Sequence, residues 1–240
     1  QRWRGIVGHS QRLRGDWLKQ LGQKRAWDLF GREYPAFALD DVEVACYAMQ
    51  ARLARGDLSA LQEARPLWFQ GTTQPESCGT LFDALVTRGQ LTEEDVWVRV
   101  RLALEAGNVS FVKALMPYLP PAKRISAKQL DSAARNPARY LELRPLALKT
   151  QGDRELAMFA TWRVAQTLPA VAANRLEKFD TMLPAADRGY IWAQVATAGA
   201  LKHRSEALDW FKRTGDHPLS DRQLAWKARS LRDNLEAFEI

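Results

Sequence analysis

The feature that most constrains the fold is a junction of the form helix, glycine, polar residue, helix, which occurs twice within residues 42–120. In "CYAMQARLARGDLSALQEARPLW" the junction is Gly56-Asp57, and in "VWVRVRLALEAGNVSFVKALMPYLP" it is Gly107-Asn108. Glycine fits the left-handed position that ends a helix. Asp or Asn can accept the first free N–H groups of the following helix. The sequence therefore predicts antiparallel helix pairs, each stacked on the next.

Further junction glycines stand at positions 89, 152 and 215, at uneven spacing, which argues against a strict tetratricopeptide array. Isoleucine is scarce while Ala, Leu, Arg and Glu are abundant, a mixture that favours helix over sheet. The predicted fold class is all-α: an irregular α-superhelix (solenoid) of stacked antiparallel helix pairs. The connector "PYLPPAKR" is interpreted as a bend because the helical pattern resumes at once, so residues 1–240 are predicted to form a single domain.

Apolar stripes place several of the helices. Ser10 is predicted to cap a helix, Thr92 with Asp95 to form a capping box, and 145–150 to form a short helix. The first of these helices is expected to bury Leu13, Trp17, Leu18 and Leu21, and the second Val96, Trp97, Val100, Ala103 and Leu104.

The net charge of +7 and the pI near 9.6 favour anionic partners. Nucleic acid, anionic lipid and cell-wall glycan peptides all satisfy this condition. The basic residues are spread along the chain without the dense Lys/Arg block of a nucleic-acid-binding arm, so no nucleic-acid partner is predicted. There is no apolar run long enough to span a membrane and no apolar signal-peptide core, so no transmembrane segment is predicted.

Two cysteines, Cys46 and Cys78, permit one disulfide. They lie two predicted elements apart, and such elements are neighbours in a helical stack, so a bridge is geometrically plausible. Two unrelated buried thiols fit the burial preference of cysteine equally well. Composition and spacing leave both alternatives open.

The sequence contains no pattern typical of a catalytic, metal or cofactor site. His9, His203 and His217 lack other ligand-type residues at metal spacing, and there is neither a phosphate-binding glycine loop nor a nucleophile elbow. We therefore predict no catalytic residue, no cofactor and no metal ligand. The nine tryptophans suggest either a groove that stacks sugars or peptides, or plugs between helix pairs. Most lie on apolar stripes, which favours plugs.

One long segment, residues 64–120, resembles the N-terminal superhelical domain of the soluble lytic murein transglycosylases. The resemblance rests on an ordered set of features: Leu67-Trp68, Gly71, Gln74-Pro75, Cys78, Leu81-Phe82 and the R-x-R-L-A-x-x-A-G-N junction from Arg99 through Asn108, with Cys46-Tyr47 upstream. Weaker similarity in "NPARYL" and "LSDRQLAWKARSL" extends it over most of the chain.

The resemblance has several implications. It implies a disulfide between Cys46 and Cys78, and hence a periplasmic location. It implies that residues 1–240 are an incomplete part of a larger, ring-shaped superhelix. It also implies a parent enzyme that cleaves the β-1,4 bond between N-acetylmuramic acid and N-acetylglucosamine, leaving 1,6-anhydromuramoyl ends. The implied partners are peptidoglycan and, as further candidates, cell-wall synthesis or remodelling proteins.

The chain departs from the family where the chemistry would lie. The catalytic motifs R-Q-E-S-x-[FW], G-L-M-Q and A-Y-N-A-G are not complete anywhere in the sequence. The pair Glu76-Ser77 lacks the preceding Arg-Gln and lies on a predicted turn, so we assign Glu76 no role as general acid or base. The favoured interpretation is a non-catalytic scaffold portion of a lytic transglycosylase. The alternatives are a free-standing helical-repeat module that binds a peptide or protein, and, least favoured, a nucleic-acid binder.

Overall fold

The computed structural model describes residues 2–143, 146 and 148–236. Contacts between Cα atoms divide the chain into two compact units, Gln1–Leu119 and Pro120–Ile240. The division falls inside the "PYLPPAKR" connector. The prediction of one domain over residues 1–240 stays a prediction.

The described residues of the first unit form seven α-helices and two 3₁₀ turns. The helices are α1 (Arg2–Gln23), α2 (Trp27–Glu33), α3 (Val42–Ala54), α4 (Ser59–Trp68), α5 (Glu76–Thr87), α6 (Glu93–Glu105) and α7 (Val109–Leu115), with 3₁₀ turns at Tyr34–Ala36 and Met116–Tyr118. Helix α3 packs against α1, α4 and α5, and α6 packs against α7.

The second unit follows the same scheme. Its helices are α8 (Ala127–Arg135), α9 (Pro137–Leu143), α10 (Gln151–Ala165), α11 (Pro169–Leu176), α12 (Ala185–Ala200), α13 (Ala207–Lys212) and α14 (Asp221–Glu236), with 3₁₀ turns at Pro121–Lys123 and Asp180–Met182. Helices α10 and α12 are the most buried and contact most of the others. The part of the chain that the structure describes contains no β-strand, so the predicted all-α fold of stacked helices is confirmed. None of the described helices has the length and apolarity that crossing a membrane requires.

Both predicted junctions are formed as the sequence indicates. Gly56 and Gly107 adopt left-handed backbone conformations, with φ of 87° and 69°. An Asp57 carboxylate oxygen accepts the N–H of Ser59 at 3.0 Å, and the Asn108 side chain accepts the N–H of Phe111 at 3.2 Å. The Thr92/Asp95 capping box is present, and the predicted apolar stripe of α6 is buried throughout.

The predicted buried face of the first helix is wrong in part. Leu18 and Leu21 are buried, but Leu13 is 68% exposed and Trp17 45% exposed. Helix α1 begins at Arg2, so Ser10 lies inside the helix and caps nothing. The inward line runs through Gln11, Gly15, Leu18 and Gly22: Gln11 hydrogen-bonds the backbone at 36–38, Gly15 faces Phe37, and Gly22 lies against the ring of Tyr47. Glycine and glutamine at inward positions conceal this line from a hydrophobicity pattern.

Two further predictions need correction in the second unit. Gly152 lies in the first turn of α10 rather than at a helix end, because Thr150 and Asp153 form a capping box that starts the helix before it. The predicted helix at 145–150 falls partly outside the described residues. The residues described there, Leu146 and Leu148–Thr150, are not helical.

Candidate functional site

The Glu76-Ser77 pair lies at the exposed start of α5. Glu76 is the first residue of the helix and is exposed, whereas Ser77 is buried and donates its hydroxyl to the carbonyl of Glu43 at 3.1 Å. The side chain of Gln50 in turn donates to the carbonyl of Ser77. A general acid needs a carboxyl group in an apolar cleft that raises its pKa. Glu76 is exposed rather than held in such a cleft, and its lack of a catalytic role stays a prediction.

The disulfide that the resemblance implies is present in the structure. It joins Cys46 of α3 to Cys78 of α5, with the two Cα atoms 5.1 Å apart. Both cysteines are fully buried, and the hydrogen bonds of Gln50 and Ser77 lie beside them. The bridge therefore acts as a structural tie between two packed helices.

A buried arginine occupies the centre of the aromatic cluster next to the disulfide helix. Arg99 of α6 is 2% exposed, and its guanidinium carbon lies 4.4 Å from the ring centroid of Trp68, 4.7 Å from that of Phe82 and 4.9 Å from that of Phe111. Its Nε has no hydrogen-bond partner among the described residues. Three ring faces thus provide the electrostatic partner that a carboxylate usually provides for a buried cation.

The same cluster contains Tyr118, whose ring packs edge-on against Trp68 with centroids 5.1 Å apart. Tyr118 donates its hydroxyl to a carboxylate oxygen of Asp83 at 2.9 Å. Burial, with the nearby Asp83 adding to it, raises the pKa of Tyr118 to about 12, and burial lowers the pKa of Arg99 to about 10. Neither group titrates near neutral pH, so the cluster is suited to holding the fold rather than to moving protons.

Several of the residues that carry the family resemblance belong to the core. Trp68, Cys78, Leu81, Phe82 and Arg99 are all buried, and Asn108 caps α7. Trp68 also donates its ring N–H to the carbonyl of Asp95 at 2.9 Å, which joins α4 to α6. The tryptophans divide into groups: Trp68, Trp97, Trp192 and Trp210 are buried as plugs, Trp27, Trp162 and Trp226 are half-buried, and Trp17 is exposed. Among the described residues, no group of His, Cys, Asp and Glu is arranged to hold a metal ion.

The surface offers a different kind of site, and it lies in the second unit. Residues 1–119 contain 15 basic and 14 acidic side chains, whereas residues 120–240 contain 20 and 14. Six of the seven surplus positive charges thus belong to the second unit, a bias that the sequence analysis missed by treating the charge as evenly spread.

The second unit contains a groove between α9 and α11, which we call the α9/α11 groove. It has a volume of about 900 Å³. Its lining is formed by Leu141, Glu142, Leu146, Ala170, Val171, Asn174, Arg175, Lys178, Phe179 and Met182. Val171 and Met182 are 38% and 54% exposed, so the groove presents apolar side chains to solvent beside cationic ones.

Two smaller concavities lie in the second unit, and one of them overlaps the α9/α11 groove. One, of about 400 Å³, shares Ala170 and Val171 with it and adds Leu168, Lys202 and Arg204. The other, of about 440 Å³, lies between the start of α12 and the end of α13 and is lined by Arg188, Lys212, Arg213 and His217 among others. Arg213 pairs with Glu177 at 2.8 Å, in the segment that also carries Lys178. The candidate site is this cationic, partly apolar surface around α11.

Comparisons with known proteins agree with the fold. No family model matches the chain. The chain is 24% identical over 222 residues, 91% of its length, to the soluble lytic murein transglycosylase of Escherichia coli K12, and 23% identical over the same span to that of Salmonella typhimurium. It spans 32% of the length of these relatives.

Solved structures give the same result. An inactive mutant of the lytic transglycosylase Slt from Pseudomonas aeruginosa is similar over 95% of this chain and 38% of its own, with a TM-score of 0.70 and 25% identity. The 70 kDa soluble lytic transglycosylase of Escherichia coli is similar over 92% of this chain and 34% of its own, with a TM-score of 0.58 and 22% identity.

Proposed function

Because this chain is a relative of the soluble lytic murein transglycosylases along most of its length, we propose that it is a non-catalytic helical scaffold portion of a periplasmic enzyme of that kind. The parent enzyme would cleave the β-1,4 bond between N-acetylmuramic acid and N-acetylglucosamine and leave 1,6-anhydromuramoyl ends. Residues 1–240 would support and orient a separate catalytic module on the polymer.

The observation that carries the scaffold role is the burial of several residues on which the resemblance rests. Trp68, Phe82 and Arg99 pack on one another, and the disulfide ties α3 to α5 beside them. Buried residues of this kind stabilise the helical scaffold, whereas cleavage of a glycosidic bond needs carboxyl groups that reach the substrate. The one suggestive carboxylate, Glu76, is exposed at a helix start.

The peptidoglycan contact is assigned to the second unit on grounds of charge. With a surplus of six positive side chains over residues 120–240, this unit attracts an anionic polymer more strongly than the first unit does. The periplasm is the corresponding compartment, since a disulfide persists in oxidising environments.

Incubation of the chain with purified sacculi tests this proposal. Chromatography after long incubation should find no 1,6-anhydromuropeptides, because the sequence lacks the complete catalytic motifs that would position a proton donor at the glycosidic oxygen. The protein should nevertheless sediment with the sacculi, and less of it should do so as salt is added. Anhydro products that disappear in Glu76→Gln would show that Glu76 is catalytic, and products that persist in that variant would point to another carboxylate.

The alternative, a free-standing helical-repeat module that binds a peptide, is supported by the partly apolar α9/α11 groove. The intact mass of the protein in its source cells separates the two. A mass far above 27.2 kDa supports a portion of a longer enzyme, and a mass of that size supports the free-standing module.

A further inference from the structure

The α9/α11 groove combines an apolar wall with a cation that has no partner in the described structure. Val171 and Met182 leave large apolar side chains exposed on one side of the groove. Lys178 lies between them along the chain, is exposed, and makes no ion pair with any described residue. A groove of about 900 Å³ that is lined by apolar side chains and a few charged ones has the size and the mixed lining of a ligand-binding cleft.

The other charged groups of the groove neutralise each other. Arg175 donates from one terminal nitrogen to the carbonyl of Ala138 at 2.7 Å and from the other to the carboxylate of Glu142. These bonds join α9 to α11 and thereby set the spacing of the two helices that line the groove. Because Glu142 is already engaged by Arg175, Lys178 is the charged side chain without an ion pair among the described residues that line the groove.

The smaller groove on the other side of α11 repeats this chemistry. Leu168 is 57% exposed there and Val171 is shared, and Lys202 is exposed without an ion pair among the described residues. Two unpaired lysines thus flank the helix, each beside exposed aliphatic side chains. A ligand that fits this surface carries carboxylates and small apolar groups along one chain.

Of the parts of peptidoglycan, the peptide branches have this chemistry and the glycan strands do not. In the intact polymer the carboxylates belong to the peptides, because the lactyl group of the sugar is bound as an amide. Sugar rings stack on exposed aromatic faces. The one aromatic side chain described in the lining of these two grooves, Phe179, is buried.

We propose that the α9/α11 groove is a binding site for the acidic peptide branches of peptidoglycan. Lys178 pairs with a peptide carboxylate, and Val171 and Met182 cover the aliphatic side chains. This assignment rests on the proposed function and adds to it the part of the polymer that the second unit binds.

The test compares two charge reversals in the full chain. Lys178→Glu removes the groove cation, and Lys128→Glu makes the same change at an exposed lysine of α8 outside the groove. Each variant is sedimented with intact sacculi and with sacculi whose peptides an amidase has removed. That treatment frees the lactyl carboxylates, so the stripped glycan remains anionic. Circular dichroism confirms that both variants are folded.

We expect Lys178→Glu to weaken binding to intact sacculi roughly five-fold and Lys128→Glu to leave it nearly unchanged. The wild type should bind stripped sacculi as weakly as Lys178→Glu binds intact sacculi. The soluble tetrapeptide L-Ala-γ-D-Glu-diaminopimelate-D-Ala should compete for the intact sacculi.

Three results would overturn the assignment. Equal binding to intact and stripped sacculi would make the glycan the ligand. Equal loss in the two variants would show that general charge, and not the groove, carries the binding. Competition as strong from an unrelated acidic peptide of L-residues would make the groove a docking site for a protein segment. If wild-type protein binds neither preparation, the proposed peptidoglycan contact itself fails, an outcome distinct from these three.

Discussion

Replacing Arg99 by methionine should change the stability of the protein far less than replacing it by lysine, although lysine keeps the charge. Arg99 is 2% exposed, and its guanidinium lies within 5 Å of three aromatic ring centroids, those of Trp68, Phe82 and Phe111. The cation is held by ring faces. The geometry of the side chain therefore matters more than its charge alone.

The magnitude follows from two opposing effects. Burial lowers the pKa of Arg99 from 12.5 to about 10, which corresponds to roughly 3 kcal/mol of cost for keeping the cation in the folded state. Each cation–π contact contributes about 0.5–2 kcal/mol, so three rings offset most or all of this cost. Methionine fills a similar volume and removes both effects, so Arg99→Met should shift the free energy of unfolding by about 1 kcal/mol or less.

Lysine retains the cost and loses most of the compensation. Its ammonium is compact and strongly hydrated and cannot lay a plane across several rings. We expect Arg99→Lys to destabilise the fold by about 2 kcal/mol or more. Arg99→Ala, which leaves a cavity, should be at least as damaging.

Urea unfolding followed by circular dichroism measures these differences, with the midpoint compared at constant slope. A pH series adds a second measurement. Burial lowers the pKa of the amine introduced by Arg99→Lys below its value in the unfolded chain, so the unfolded chain binds the proton more tightly. The stability of this variant therefore rises as the pH rises from the folded to the unfolded pKa, and its deficit relative to Arg99→Met should narrow from pH 7 towards about pH 10. Equal stability of the two variants at pH 7, or a deficit that does not change with pH, would refute the reasoning.

Three further predictions follow from single contacts. Cys46→Ala combined with Cys78→Ala should lower the free energy of unfolding by roughly 3–4 kcal/mol, because the bridge closes a loop with a sequence separation of 32. Thiol titration of the denatured, unreduced wild type should find no free cysteine, and two free thiols would contradict the bridge. Gly199→Ala should lower the free energy of unfolding by about 1–3 kcal/mol, since its Cβ would lie 2.5 Å from a ring carbon of Trp210, whereas Gly79→Ala in α5, where the added Cβ meets open space, should raise it by about 0.5–1 kcal/mol. Thermal unfolding measures both, and a change of the same sign in the two variants would count against this packing. Asn108→Ala should lower the free energy of unfolding by about 1 kcal/mol and Asn108→Asp by much less, because only the alanine variant removes the acceptor for the Phe111 N–H. Equal losses of stability in urea unfolding would rule out the cap.

The parts of the fold that the sequence predicted correctly depend on local chemistry. A left-handed glycine followed by a capping side chain satisfies backbone groups within a few residues, so Gly56-Asp57 and Gly107-Asn108 can be identified without tertiary information. The stripe of α6 was also predicted, because its inward positions are all apolar. The inward face of α1 was not, since its contacts with other elements use Gln11 and two glycines at positions where a pattern search expects large apolar residues.

The candidate site was not predictable in the same way, because the sequence gives the number of cationic side chains but not how many of them are paired with carboxylates in the fold. Among the cations around α11, Arg175 is engaged by Glu142, Arg204 by Glu206, and Arg213 by Glu177. These partners lie from 2 to 36 positions away in the sequence, so only the folded chain shows which charges are neutralised. A pair of exposed charges attracts a third charge weakly. The net charge of the second unit therefore overstates its attraction for an anionic polymer, and the attraction concentrates on unpaired cations such as Lys178 and Lys202.

A polymer held by so few charges should be released at moderate salt, while the aliphatic contacts of Val171 and Met182 persist. Binding that shows this residual, salt-resistant part in the wild type and loses it in Met182→Gln would place the ligand in the α9/α11 groove rather than in a diffuse ion atmosphere.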